Sequence, residues 1–293
     1  MTYAAIDIGS NAVRLLIKRD EEGCQYLDKL LLLRVPLRLG FDVFSKGEIS
    51  KGEAEDLVRL MHSYALLMKI YKVDIMRVCA TSAMRDAANG KELIRKIETK
   101  TGIKVEIISG AEEAMIVYEN HQDSGFDKKG NYLYVDVGGG STELNMLSDG
   151  KLVFSRSFNI GTVRMLTGGV NPETRAELCD LCVELRSHYP SISIVGSGGN
   201  INKLYKLVGE KKPKRISYKA LEDIYKEFLP LTMEERMTRY AMRPDRADVI
   251  IPASRIFLTI ASLTGAQYIY VPVIGVADGI IDALARQCKK EKH

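Results

Sequence analysis

The stretch AIDIGSN at residues 5–11 returns in altered form as VDVGGGST at residues 135–142. Each copy places an aspartate near the end of an apolar run, and glycines and a hydroxyl side chain follow it. The pattern predicts a strand, a tight turn and a second strand, because glycine lets the backbone turn sharply. Since one copy lies in each half of the chain, the sequence predicts two related halves.

Predicted strands and helices alternate around both copies. The longest helical pattern is KGEAEDLVRLMHSYALLMKIY, which Ser50 precedes as a candidate N-cap, with Glu53 completing a capping box. This mixture predicts an α/β fold. A polar stretch at residues 123–131 separates the halves, the segment at 86–101 is expected to be helical, and KKPKR at 211–215 is typical of a basic linker.

The composition sets limits on size and partners. A length of 293 residues suggests about two domains, and 46% hydrophobic with 27% charged residues is typical of a globular protein. The net charge is +4, which is less than a nucleic-acid-binding domain normally carries. No secretory or membrane-spanning segment is visible, so neither nucleic acid nor a membrane is expected as a partner.

The five cysteines are scattered and odd in number, which favours a reduced, cytoplasmic location. Cys179 and Cys182 form a C-x-x-C within a helical pattern. Packing is the favoured interpretation over a zinc or redox role, because no second cysteine or histidine pair follows at ligand spacing. The four histidines form no local metal-ligand spacing either.

Two glycine turns of this kind permit a specific chemistry. Successive backbone N–H groups in such a turn form a concave anion site, and two turns that face each other would hold a polyanion. Asp7 and Asp136 would then suit Mg²⁺ (or Mn²⁺), through water. One glycine turn alone is weak evidence, because it is more often only a hairpin; two matching copies are stronger.

Seven segments resemble, in order, the motifs of the exopolyphosphatase / guanosine pentaphosphate phosphohydrolase (Ppx/GppA) family of the actin-like ATPase superfamily. They are AIDIGSNAVRLLI, ATSAMRDAANG, ISGAEEA, VDVGGGSTEL, IGTVRML, VGSGGNINKL and RPDRADVIIPA. The resemblance implies two ribonuclease-H-like domains with an active-site cleft between them. The first would comprise residues 1–122 and a C-terminal helix at about 278–293, and the second residues 123–277.

The resemblance implies a metal-dependent hydrolase that releases the terminal phosphate of inorganic polyphosphate or of guanosine pentaphosphate (pppGpp). Glu113 is predicted as the principal base, and Glu143 as the group that orients water or metal. Asp7, Asp136 and Glu143 form the predicted metal set. The alternative for Glu112 and Glu113 is favourable charge at a helix N-terminus, and it remains the preferred interpretation for Glu112.

The resemblance also implies a set of phosphate-binding residues: Gly9, Ser10, Asn11, Arg85, Gly138, Gly139, Gly140, Ser141, Thr142, Gly161 and Thr162. An arginine can grip phosphate oxygens in a fork, although Arg85 could instead be a surface residue paired with Asp86. Arg14 and Arg164 follow small-residue turns, and each could be a structural ion-pair partner. Gly196, Gly198 and Gly199 would contact a nucleoside, or else allow a helix to pack tightly on a strand.

The basic run KKPKRISYK at 211–219 could guide a long polyphosphate chain, although such runs are usually solvated faces. Longer family members carry a C-terminal helical extension that is not found here, so shorter polyphosphates or a nucleotide are expected substrates. Dimers are common in the family, although the sequence shows no interface signature. Two other functions stay open: a non-catalytic sensor of ppGpp or polyphosphate, and a small-molecule kinase of the same superfamily.

Overall fold

A computed structural model of the protein describes residues 1–21, 27–121, 130–272 and 275–290. The chain divides into two compact units. Unit 1 comprises Met1–Asn120 and Val276–His293, and unit 2 comprises His121–Gly275. Cys24, the predicted boundary between residues 122 and 123 and most of the polar stretch at 123–131 lie outside the described residues.

The first group of elements runs from the N-terminus to residue 121: β1 (Thr2–Ile8), β2 (Val13–Arg19), β3 (Asp28–Val35), α1 (Leu39–Lys46), α2 (Lys51–Ile70), β4 (Ile75–Ala80), α3 (Ser82–Asp86), α4 (Gly90–Thr101), β5 (Glu106–Ile107) and α5 (Gly110–His121). The second group begins at residue 131: β6 (Asn131–Val137), β7 (Thr142–Ser148), β8 (Lys151–Phe158), α6 (Thr162–Leu166), α7 (Pro172–His188), β9 (Ser193–Ser197), α8 (Gly199–Val208), β10 (Glu210–Lys211), β11 (Lys214–Ser217), α9 (Tyr218–Phe228), α10 (Met233–Tyr240), α11 (Pro244–Ala247), α12 (Ile250–Thr264), β12 (Tyr268–Tyr270) and α13 (Val276–Lys290).

Each unit contains one mixed sheet, and the two sheets share a pattern. The strand order is β3-β2-β1-β4-β5 in unit 1 and β10-β11-β12-β9-β6-β7-β8 in unit 2. β1 pairs antiparallel with β2 and parallel with β4. In the same way, β6 pairs antiparallel with β7 and parallel with β9. The predicted strand–turn–strand unit is therefore confirmed in both halves, and so is the α/β class.

The sheet of unit 1 is covered on both faces. Along β1, Ala4 and Ile6 belong to one buried cluster with the helices α2 and α4, while Tyr3 and Ala5 belong to another. Ile281 of α13 lies in the second cluster and is fully buried. A strand covered on both faces is apolar at successive positions, and this explains the unbroken apolar run that opens the sequence.

The core of unit 2 is built around α12. Ile250, Phe257 and Ile260 of this helix are fully buried, in one cluster with residues of β6 and β9. Among the described residues, the segment Pro244–Thr264 is long and apolar enough to cross a membrane, with a mean hydropathy of 1.4. However, 61% of its most apolar window is buried inside the protein, which is the environment of a core helix.

The structure departs from the sequence pattern in three places. Residues Leu39–Lys46 form the helix α1 and Ser82 begins the helix α3, and the pattern indicated neither helix. The supposed linker at 211–215 is a β-hairpin at the edge of the sheet, in which Lys211 pairs with Lys214. The predicted cap of α2 is correct in part: Ser50 accepts a hydrogen bond from the Glu53 amide at 3.5 Å.

Candidate active site

The first glycine turn joins β1 to β2. The Gly9 amide donates to the Ala12 carbonyl at 3.1 Å and closes the turn. A Cβ on residue 9 would lie 3.2 Å from that same oxygen, which explains why a glycine stands there. The hydroxyls of Ser10 and Ser82 lie 2.9 Å apart, so a hydrogen bond fastens the turn to α3. Sequence reasoning did not identify Ser82.

The second glycine turn joins β6 to β7 and repeats this geometry. The Gly138 amide donates to the Ser141 carbonyl at 2.9 Å. A Cβ on residue 138 would lie 3.2 Å from that oxygen, the same separation as in the first turn. The repeat in the sequence is therefore a repeat of backbone structure, and each turn presents the kind of backbone loop that binds anions.

The start of α6 supports the second turn. The amides of Thr162 and Val163 donate to the carbonyls of Gly138 and Gly139 at 3.0 and 2.8 Å. Arg164 Nε donates to the Gly140 carbonyl at 2.8 Å, which is a structural contact with the turn but not the ion pair that the sequence suggested. A Cβ on Gly161 would overlap the backbone of the same turn. Gly161 and Thr162 therefore hold the turn in place, and their direct contact with phosphate stays a prediction.

Two buried carboxylates lie beside the second turn. Asp136 of β6 stands directly opposite Glu143 of β7, and their exposed fractions are 7% and 1%. Ser157 of β8, opposite Glu143, donates its hydroxyl to Glu143 Oε1 at 2.8 Å. Gly198 has a φ of 94°, and a Cβ there would lie 2.7 Å from Asp136 Oδ1. Like charges opposite each other on neighbouring strands repel, so this pair suits a divalent cation.

The equivalent position in unit 1 carries the opposite charge. Asp7 of β1 stands opposite Arg14 of β2, and Arg14 Nη1 lies 2.6 Å from Asp7 Oδ2. The ion-pair interpretation of Arg14 is therefore supported. The Asp7 carboxylate thus has a cationic partner within its own hairpin, and its role as a metal ligand stays a prediction.

The two acids at the start of α5 differ in environment. Glu113 is 8% exposed. Glu112 is on the surface, where its carboxylate accepts from Arg77 Nη2 at 2.6 Å. The non-catalytic interpretation therefore fits Glu112. Arg85 of α3 donates through Nη1 to the Ile108 carbonyl at 2.8 Å, a contact that places its guanidinium just before α5 in unit 1.

The glycines at 196–199 fall into two kinds. Gly196 is buried within β9, and a Cβ there would crowd apolar core side chains, so the packing interpretation fits it. Gly199 opens α8, and a Cβ on it would lie 2.7 Å from Arg246 Nη2. Arg246 also donates to the side chain of Asn200. Sequence reasoning did not single out Arg246, although it lies in the quoted segment RPDRADVIIPA.

The C-x-x-C lies in α7 with both thiols free. Cys182 is buried, and desolvation raises its pKa to about 12. Within residues 1–21, 27–121, 130–272 and 275–290, no three histidine, cysteine or acidic side chains gather as a metal site. The burial of Cys182 agrees with the packing interpretation of the C-x-x-C. Mg²⁺ differs from zinc, since it usually binds one or two carboxylates together with phosphate and water.

The sequence and the fold are similar to those of known proteins. A model described as the Ppx/GppA phosphatase family matches residues 16–287. A solved structure of the Aquifex aeolicus member of that family is 27% identical, with a TM-score of 0.77, and the match covers 100% of this chain and 99% of that one. An exopolyphosphatase from Cytophaga hutchinsonii has a TM-score of 0.85 at 21% identity over 98% of each chain, which is a likeness of fold.

A curated relative shares part of the sequence. The bifunctional 3-dehydroquinate synthase/phosphatase of Fusobacterium nucleatum is 35% identical over 170 residues. The match covers 55% of this chain and 25% of that protein, so the matched region amounts to about a quarter of that relative's length. Together with the solved structures, these likenesses agree with the fold that the sequence predicts.

Proposed function

Because the chain belongs to the Ppx/GppA phosphatase family, we propose that it hydrolyses a phosphoanhydride bond and releases the terminal phosphate of inorganic polyphosphate or guanosine pentaphosphate. The observation that carries the proposal is the pair of buried carboxylates, Asp136 and Glu143, on the two strands that the second glycine turn connects. In this proposal, one hairpin combines a turn that would bind the anion with carboxylates that would bind a divalent cation.

The phosphates of the substrate would be held mainly by backbone. The proposed donors are the amides of residues 10–12 and 139–142, with Arg85 as the side chain that assists. The amides of Gly9 and Gly138 close the two turns, so these glycines would shape the site rather than donate to phosphate. Both turns are closed by a backbone hydrogen bond, of 3.1 and 2.9 Å, so the donors are fixed before the ligand arrives. Donors that are already in place lose little entropy on binding and need no reorganisation during the reaction.

The proposed metal ion is Mg²⁺ or Mn²⁺, with Asp136 and Glu143 as its ligands and Asp7 as a contact through water. Their buried carboxylate oxygens are the donor type that these ions prefer. When bound, such an ion stabilises the negative charge that develops on the phosphate oxygens. Ser157 holds one oxygen of Glu143, and so it would fix the orientation of that carboxylate.

Glu113 is the proposed base that orients and deprotonates the attacking water. The residue is only 8% exposed, so it is largely shielded from bulk solvent, which suits a base that orients a single water molecule. The test is Glu113→Gln, which keeps the shape and removes the base. We expect phosphate release to fall by at least about 100-fold while the affinity for polyphosphate stays within about twofold.

Glu112→Gln is the matched control, because it changes the neighbouring acid in a surface ion pair. It should leave turnover near the wild-type value. Wild-type turnover in purified Glu113→Gln would contradict the assignment of the base.

The substrate is tested by measuring phosphate release from tripolyphosphate, long polyphosphate and guanosine pentaphosphate with Mg²⁺ or Mn²⁺. Release from at least one of them is expected. Binding without release from any would favour the non-catalytic sensor, and ATP-dependent phosphorylation of an acceptor would favour the kinase.

A further inference from the structure

The hairpin formed by β10 and β11 concentrates positive charge. Residues 210–215 carry four cationic side chains and a single carboxylate. Glu210 accepts from Arg215 Nε at 2.8 Å, and the Arg215 guanidinium lies 3.7 Å from the centroid of the Tyr268 ring. These contacts fix Arg215 against the sheet. The lysines at 211, 212 and 214 are exposed.

The sheet topology places this hairpin at a particular edge. β12 and β9 run parallel to β6, so their carboxyl ends lie at the same edge as the second glycine turn. β11 is antiparallel to β12, with Arg215 opposite Tyr270, and the Val271 amide donates to the Lys214 carbonyl at 3.0 Å. The tip of the hairpin therefore lies at the edge where β6 and β9 end in glycine turns.

The distance between the hairpin and the second glycine turn determines which ligands could contact both. The strand order β11-β12-β9-β6 puts three strand spacings between the hairpin and the turn at 138–142. At the usual spacing this is about 14 Å. A triphosphate held at the turn does not cover that distance, whereas an extended chain of many phosphates does.

Further positive charge lies between the turn and the hairpin. Lys203 stands one helical turn after Gly199 in α8, the helix that packs against β11. Burial lowers the pKa of Lys203, and the charges of Lys206 and Arg246 lower it further. The Lys203 ammonium donates to the Tyr240 carbonyl at 2.7 Å, so the exposed lysines of the hairpin are the main candidates for contact with a polyanion.

We propose that the hairpin at residues 210–215 is an additional anion-binding site of unit 2, which holds the distal part of a polyphosphate chain. The inference rests on the proposed function and narrows its substrate class to an inorganic chain longer than three phosphates. It also replaces the expectation of a short substrate that the sequence suggested.

The test compares two double variants of the full chain. Lys212→Gln with Lys214→Gln removes two charges from the hairpin. Lys151→Gln with Lys219→Gln removes two charges from the opposite end of the same sheet: Lys151 begins β8, and Lys219 follows the Ser217–Tyr268 pair that ends β11. All four lysines are exposed, so neither variant disturbs the core.

For each variant, direct binding of long polyphosphate, tripolyphosphate and a single-stranded RNA is measured, together with phosphate release. The hairpin variant should bind long polyphosphate about tenfold more weakly and with a flatter salt dependence. Its affinity for tripolyphosphate should stay within about twofold, and the control should match the wild type.

Unchanged affinity of the hairpin variant for long polyphosphate would overturn the proposal, even if tripolyphosphate is still hydrolysed. A loss confined to RNA binding would overturn it as well. If no substrate is hydrolysed but the hairpin variant alone loses long polyphosphate, the proposed hydrolase activity fails and the binding site stands.

Discussion

The β1–β2 and β6–β7 hairpins differ in charge at the position opposite their aspartate. The residue opposite the aspartate is Arg14 in the first hairpin and Glu143 in the second. The first turn therefore lies beside an ion pair, and the second lies beside two carboxylates. We therefore expect the two halves, which share a backbone structure, to differ in role, with the proposed metal ion bound at the second hairpin.

A substitution at Ser157 tests whether the hydrogen bond to Glu143 supports metal binding by the carboxylate pair. Ser157→Ala removes the donor that lies 2.8 Å from Glu143 Oε1. We expect the Mg²⁺ concentration for half-maximal phosphate release to rise about tenfold, because groups that orient a metal ligand typically contribute 10- to 100-fold. Titration of the activity with Mg²⁺ measures this.

Ser187→Ala is the control, since that hydroxyl is exposed and its hydrogen bonds, to the Glu184 carbonyl and the His188 ring, are local. An unchanged Mg²⁺ dependence in Ser157→Ala would show that Glu143 needs no such support.

Site residues could be predicted where their contacts are with near neighbours in the sequence, and not where the contacts join separate elements. Glycines and acids adjacent in sequence, such as Asp136 and Gly138, are recognisable because the turn is local. Ser157, Ser82 and Arg246 were missed because each reaches the site through another strand or helix. No local signal pointed to Ser157: the short connection between β7 and β8 would pair Glu143 with Arg156, and an irregularity between Met146 and Leu147 shifts the register by one residue.

Among the elements, α13 makes a contact that only glycine permits. A Cβ on Gly279 would lie 2.5 Å from the Ile116 carbonyl of α5. Gly279→Ala should therefore push the two helices apart and lower the free energy of unfolding by about 1–3 kcal/mol. Urea unfolding followed by circular dichroism measures the change.

Gly52→Ala in α2 is the matched control, because no atom lies within 4 Å of the added methyl group. It should be neutral or slightly stabilising, since alanine favours a helix more than glycine does. Equal destabilisation by both changes would refute the close contact as the cause.

Long periodic elements were predictable and short ones were not. The pattern of α2 and its Ser50 cap are local, and the structure has both. The helix α1 has eight residues and begins after Arg38, whose left-handed φ of 59° no hydrophobic period can reveal. β10 has two residues, too few to show any alternation, so the hairpin was interpreted as a linker.

At the scale of the whole molecule, unit 1 is built from two segments, one from each end of the sequence. The last helix packs on β1, and Ile280 and Ile281 are fully buried in the same cluster as Tyr3. Local pattern predicts a helix at this point but not the sheet that it covers, because that depends on pairing across almost the whole chain.

Deletion of residues 276–293 should therefore weaken one unit selectively. We expect the amides of β1, β2 and β4 to lose protection from hydrogen exchange, while those of β6, β7 and β9 keep it. A variant that lacks only residues 291–293 serves as the control. Equal loss in both sheets, or no loss in β1, would contradict the division into units.

Because unit 1 consists of two separate segments of the chain, the two units become complete at different times during translation. Unit 2 is a continuous stretch, so its whole sequence has been translated before the ribosome reaches α13. The core of unit 1 cannot be completed until that helix has emerged. The face of β1 and β2 that carries Tyr3, Ala5 and Leu16 therefore lacks its covering helix until the end of translation, whereas the opposite face is covered by α2 and α4 much earlier.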